Sequence, residues 1–114
     1  FMTRPNRLRR YTDILHVRRC GHRIETSHVV MLVAPGGTGV PRSVVTVARR
    51  FGSAVIRNRL RRRLMELLRI ELPDLEHSVD IVVFPRASAV DASFKRLRGS
   101  IREGLSQVDL GVRM

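Results

Sequence analysis

The chain has 114 residues, 43% of them hydrophobic, which suits one compact domain with one core and leaves too little for two. A formal net charge of +12 and a pI near 11.8 exceed what solubility requires and point to an anionic partner. One cysteine (Cys20), no tryptophan and no apolar run of ~18 residues exclude an internal disulfide, a platform of successive stacking rings and a bilayer-spanning helix, and fit a reducing, cytoplasmic setting without membrane contact.

In chain order, MTRPNRLRR (residues 2–10) carries four arginines and little to bury, which predicts a flexible basic arm over 1–10 ahead of a single domain over 11–110. Thr12 or Asp13 is positioned to cap a helix of about two turns that carries Ile14, Leu15 and Val17 and stops at Gly21. A short extended piece at Arg23 to Glu25 and the run SHVVMLVA (27–34) read as strands, bounded by the loop PGGTGVP. RSVVTVAR (42–49) reads as the next strand, and a hairpin between it and SHVVMLVA is expected. The intervening loop is glycine-rich but lacks the GxxxxGK[ST] pattern and joins two strands, so it is not read as a phosphate loop.

The stretch from Arg49 to Arg69, RRFGSAVIRNRLRRRLMELLR, holds eight arginines and one acid, Glu66. Ile56, Leu60, Leu64 and Leu67 recur at helical spacing, with Val55 and Leu68 beside them, and predict one buried stripe. Ser53 is the expected cap and Pro73 the stop, allowing about 18 residues or roughly 27 Å. Arg57, Asn58, Arg61 and Arg62 fall opposite the stripe, and Arg59 and Arg63 flank it. After an acidic loop, ELPDLEHSVD, the segment DIVVFPR reads as a strand whose end Pro85 places at or near a sheet edge. The last segment spaces Phe94, Leu97, Ile101, Leu105 and Val108 as a helical stripe capped by Asp91 or Ser93, with Gly99 and Gly104 each costing about 1 kcal/mol relative to alanine. The resulting fold class is α+β, a two-layer arrangement of helices on a sheet of three or four strands.

Charge is uneven along this plan. Residues 1–65 hold fifteen arginines against Asp13 and Glu25, whereas residues 66–114 hold seven basic and eight acidic groups. Arginine faces are ordinarily solvated and laced with carboxylates, but from Arg49 to Arg63 there are seven guanidinium groups and no acid. Neutralisation by a polyanion is the economical explanation. His16, His22, His28, His77 and Cys20 form no recognisable catalytic or metal-ligand constellation, so no protein-borne active site or metal site is expected.

The strand leading into VARRFGSAVIRNRLRRRLMELLR resembles the protein component of bacterial ribonuclease P: a strand, two basic residues (Arg49, Arg50), Gly-x-Ala-Val (Gly52, Ala54, Val55), then Arg57-Asn58-Arg59 and further arginines. Asp13 to Gly21 resembles that family's first helix and DIVVFPR its last strand, so the likeness covers nearly the whole chain. The resemblance implies an α-β-β-β-α-β-α fold with a left-handed βαβ crossover, an exception to the usual rule. It implies that Arg57, Asn58, Arg59, Arg61 and Arg62 bind the catalytic RNA, while a cleft between the first helix, the sheet and the arginine helix holds the 5′ leader of precursor tRNA. It further implies an endonucleolytic holoenzyme with one protein copy, whose chemistry belongs to the RNA and its magnesium ions and needs no protein-bound cofactor. Three positions depart from the family's habit. Ile14 and Arg18 stand where two aromatics face the leader, Met65 where an arginine precedes the glutamate, and Val44 where a glycine follows the strand's opening arginine. Leader contact is thus expected through Arg18, Arg49 and Arg50, with Ile14 beside them. A ribosomal-type RNA-binding module with no role in cleavage is the competing reading. A helix-turn-helix is disfavoured because a strand precedes the arginine helix.

Overall fold

Aliphatic and β-branched residues assemble a four-stranded mixed sheet that carries three helices, in a computed structural model describing residues 7–37, 39–75 and 77–113. The order is α1 (Tyr11–Cys20), β1 (His22–Glu25), β2 (Val29–Pro35), β3 (Arg42–Val45), α2 (Ala54–Glu71), β4 (Val79–Pro85) and α3 (Phe94–Arg113), as the sequence predicts. Short 3-10 turns cover Arg49–Phe51, Leu72–Asp74 and Ala87–Ala89.

In space the strands run β1-β2-β4-β3. β2 lies antiparallel to β1 and β4, and β3 lies parallel to β4. The expected β2–β3 hairpin does not form, because β4 is inserted between the two strands. The composition of β4 explains this: Ile81, Val82 and Val83 are fully buried, and a strand apolar on both faces belongs in the middle of a sheet. α2 therefore serves as the crossover that parallel neighbours require. β4 is not an edge strand, but the reasoning about Pro85 holds locally. Pairing with β3 ends at the bond from Thr46 N–H to Val83 O (2.9 Å), and Pro85 has no N–H to continue it.

The two faces of the sheet are covered unequally. On one, Met31, Val45, Ile81 and Val83 pack against Leu60, Leu64, Leu67 and Leu68 of α2 and Leu97 and Ile101 of α3. On the other, a small cluster of Leu8, Val17, Ala34 and Val82 lies beneath α1, with Ile14, Leu32, Val44 and Phe84 only half-buried around it. Glu71, nearly buried at the end of α2, accepts from Arg98 Nε at 2.7 Å and lies 3.5 Å from Arg102 Nε, tying α2 to α3.

Several local expectations are corrected. Leu8 is 1% exposed and its N–H donates to Ser43 O at 2.9 Å, so Arg7 to Arg10 continue the fold beside β3; residues 1–6 of the expected arm lie outside the described residues. Neither Thr12 nor Asp13 caps α1, which begins at Tyr11 after Arg10 without a side-chain cap. The Asp13 carboxylate instead faces Arg42 at 3.8 Å. Ser53 does cap α2, accepting from Ile56 N–H at 3.4 Å, and of the two α3 candidates Ser93 is the cap, accepting from Arg96 N–H at 3.2 Å. The apolar stripes outrun the core at their first turns, leaving Val55 77%, Ile56 42% and Phe94 41% exposed.

Arg42 and Asp80 are register partners on β3 and β4, joined by two hydrogen bonds of 2.9 and 2.8 Å. Hydrogen bonding to Asp80 raises the Arg42 pKa further above its already high value. Asp80→Asn should lower stability by about 3 kcal/mol, since it removes the adjacent charge and leaves a largely buried guanidinium with the more distant Asp13 as its nearest anion, and urea denaturation would measure it. The two helical glycines should behave oppositely. A Cβ at Gly99 meets nothing within 4 Å, so Gly99→Ala should stabilise by about 1 kcal/mol. A Cβ at Gly104 would stand 2.7 Å from Cε and Sδ of fully buried Met31, so Gly104→Ala should forgo that stabilisation and destabilise by about 1 kcal/mol net.

Candidate nucleic-acid interface

Two cationic surfaces emerge, one on each side of the sheet. The first is the outer side of α2. Burying Leu60, Leu64, Leu67 and Leu68 turns the arginines outward; Arg69 pairs with Glu66, and uncharged neighbouring groups hold three others. Arg57 Nε donates to Gly52 O at 3.2 Å, Arg61 Nη1 to Asn58 Oδ1 at 2.7 Å, and Arg63 Nη2 to Ala92 O at 3.0 Å. These bonds orient the cations without neutralising them. Gly52 is required for the first, since its backbone sits at φ 124°, where a side chain is strained. With Asn58 Oδ1 occupied by Arg61, the carboxamide N–H groups are left to donate outward. Arg59 and Arg62 are exposed and have no protein partner among the described residues. Val55, Asn58, Arg59, Arg62 and Arg63 line a shallow hollow of about 470 Å³. This surface can bind phosphate and donate hydrogen bonds to acceptors on base or ribose edges.

The second surface is a groove of about 620 Å³ on the thinly covered face. Its floor is Val30, Leu32 and Phe84, and its rim carries Arg18, Arg23, Arg50 and Arg86 with Glu25. Val30 and Phe84 are cross-strand partners, so their side chains share the face that α1 covers only in part. The Arg18 guanidinium lies 5.6 Å from the Phe84 ring centroid, within cation–π range, and Arg50 similarly lies 5.1 Å from the Phe51 ring. Arg23 donates from Nε and Nη2 to the one oxygen Glu25 Oε1 at 2.9 and 2.5 Å, which lowers the Glu25 pKa. Arg86 Nη1 donates to Thr26 O at 2.9 Å. Four guanidinium groups against one carboxylate leave a net positive rim over an apolar, partly aromatic floor, the chemistry that accepts an unpaired nucleotide.

The sequence-derived residues divide between these surfaces. Arg57, Asn58, Arg59, Arg61 and Arg62 share α2, and Arg18 and Arg50 meet in the groove. Arg49 is exposed in the same turn as Arg50, whereas Ile14 packs half-buried against the Leu8 and Val17 cluster and does not line the groove. Sequence reasoning missed Phe84, Val30, Leu32, Arg23 and Arg86. Strand parity separates residues 82 and 84 from 81 and 83, but the bareness of their face follows only from the placement of α1. No group of three His, Cys, Asp or Glu side chains is arranged to hold a metal ion among the described residues. None of the described helices is long and apolar enough to cross a membrane.

Comparison with known proteins places this geometry in context. A family model described as Ribonuclease P matches residues 2–109. The chain is 36% identical over 110 residues to the ribonuclease P protein component of Chloroflexus aggregans, covering 96% of this chain and 82% of the relative. It is 37% identical over 110 residues to that of Chloroflexus aurantiacus, with the same coverage. Among solved structures, the RNase P protein from Thermotoga maritima superposes with a TM-score of 0.80 at 28% identity, covering 89% of this chain and 96% of the other. The Staphylococcus aureus RNase P protein shares the fold with a TM-score of 0.76 at 21% identity, covering 90% and 94%.

The hydrogen bonds on α2 predict a separation of effects. Replacing Arg59 and Arg62 with alanine should weaken RNA binding and flatten its log–log salt dependence by roughly 0.7 to 0.9 for each phosphate no longer neutralised, without lowering the thermal midpoint. Arg63→Ala should also lower the midpoint, because it removes the tether to Ala92 O. Filter binding across a salt series and thermal melts read the two effects independently.

Proposed function

This chain belongs to the ribonuclease P protein component family, and from that premise we propose how its two cationic surfaces divide the work. Membership makes the protein a part of ribonuclease P, a partner of ribonuclease P RNA, with a role in tRNA processing. In the proposed division, Arg57, Asn58, Arg59, Arg61 and Arg62 of α2 grip the catalytic RNA, and the groove beneath α1 receives the single-stranded 5′ leader of precursor tRNA. One protein copy serves each complex. The observation that carries this reading is the pairing of an arginine helix on one side of the sheet with a cationic, Phe84-floored groove on the other, so that one protein can hold two strands of nucleic acid at once.

Each surface suits its proposed ligand physically. Folded RNA presents phosphates and 2′-hydroxyl groups, which α2 meets with oriented guanidinium groups and the Asn58 amide. An unpaired leader can lay a base on Phe84 while its phosphates reach Arg18, Arg50, Arg49 and Arg86. Ile14 then acts indirectly, by seating α1 on the small cluster that positions Arg18. Endonucleolytic hydrolysis is assigned to the RNA and the magnesium ions it holds, with the protein supplying binding and positioning.

The decisive experiment is cleavage of precursor tRNA at low magnesium by protein alone, by a bacterial ribonuclease P RNA alone, and by the two together. Rapid cleavage is expected only in the mixture, because protein cations replace counterions that the RNAs otherwise take from solution. Tight RNA binding without stimulation would favour the ribosomal-type module, and cleavage by protein alone would favour a free-standing nuclease. Within the active mixture, Phe84→Ala and Arg18→Ala should each weaken binding of leader-bearing substrate by about tenfold while leaving affinity for the RNA subunit unchanged. A matched substrate without a leader should show no difference between variants.

A further inference from the structure

We propose that the RNA-binding surface continues from α2 onto the first turn of α3, where Phe94 stacks on an unpaired base of the RNA subunit and the exposed Lys95 and Arg96 of the same turn contact phosphates. The inference rests on the reading of α2 as the RNA-subunit surface and adds a stacking site to it. Its first observation is the position of Phe94. It begins the apolar stripe of α3, three residues before fully buried Leu97, yet it is 41% exposed. The core thus leaves part of its ring available. The second is charge. Lys95 and Arg96 are exposed and have no carboxylate partner among the described residues, unlike Arg98 and Arg102, which are drawn to Glu71. The third is continuity with α2. Arg63 lines the α2 hollow and also donates to Ala92 O at 3.0 Å, two residues before Phe94. The start of α3 therefore abuts the middle of α2, with the Ser93 cap fixing its first turn.

An exposed ring beside uncompensated cations fits nucleic acid better than an apolar protein partner, because association with the latter would leave Lys95, Arg96 and the α2 arginines unpaired. RNA supplies both the π-face and the phosphates.

The test is binding of full-length protein to a ribonuclease P RNA across a salt series, with variants Phe94→Ala, Phe94→Tyr and Lys95→Ala/Arg96→Ala, their folding verified by circular dichroism and thermal melts. Phe94→Ala should weaken binding about tenfold without altering the salt slope, and Phe94→Tyr should restore it, since stacking carries no counterion release. Lys95→Ala/Arg96→Ala should flatten the slope by roughly 0.7 to 0.9 for each phosphate left to its counterions. Wild-type affinity and slope in all three, alongside a weakened Arg59→Ala/Arg62→Ala control, would overturn the extension while leaving the α2 reading intact. Reduced affinity in Phe94→Ala with an equally weak Phe94→Tyr would also overturn it, by showing a packing role. If the control binds as well as wild type, the α2 reading fails and this inference fails with it.

Discussion

The bidentate pair between Arg42 and Asp80 links the edge strand to the centre of the sheet, and the arrangement of both cationic surfaces depends on that link. The two residues sit opposite each other in the parallel register of β3 and β4, so their bond fixes where β3 lies and hence where the chain leaves it for α2. Asp13 lies 3.8 Å from the same guanidinium, which couples α1 on the opposite face to the same strand pair. A single arginine thereby relates the cover of the groove to the start of the arginine helix. The pair is mostly buried, and its value lies less in net energy than in the cost of breaking it, which disfavours alternative registers.

The groove follows from unequal cover. Eighteen residues of α2 and the long α3 bury one face of the sheet, whereas ten residues of α1 and the single side chain of Leu8 serve the other. The floor of the groove is what that short helix leaves uncovered. This arrangement also accounts for an arginine at position 18. With Phe84 rising from the sheet beneath it, a cation over the ring supplies charge and part of an aromatic stacking surface together.

What could be read in the sequence was local. Ser53 and Pro73 bounded α2 correctly because capping and the missing proline N–H act within a turn, and the leucine stripe located its buried side because period is a property of one helix. The order of the strands was not legible in the same way. A loop rich in glycine and proline between two strands ordinarily implies a hairpin, and only the burial of β4 on both faces shows why β4 separates β2 from β3. The sequence marks Phe84 as a strand residue but not as a groove residue, since parity assigns it to a face without saying which face stays bare. The two first-turn hydrophobic residues, Ile56 and Phe94, fit their stripes perfectly and are still exposed, because periodicity cannot tell where a helix passes the rim of its sheet.

The bare cations of α2 have a consequence for the protein when it is alone. Arg59 and Arg62 belong to a run of seven guanidinium groups with no acid among them, so the folded chain carries a self-repulsion that unfolding would relax. Added salt strengthens such a protein where it would weaken one held by surface ion pairs, and a bound polyanion does so far more. The free chain thus carries an excess of positive charge that its RNA partner can offset, so its folded state gains stability as the free RNA rises above the dissociation constant.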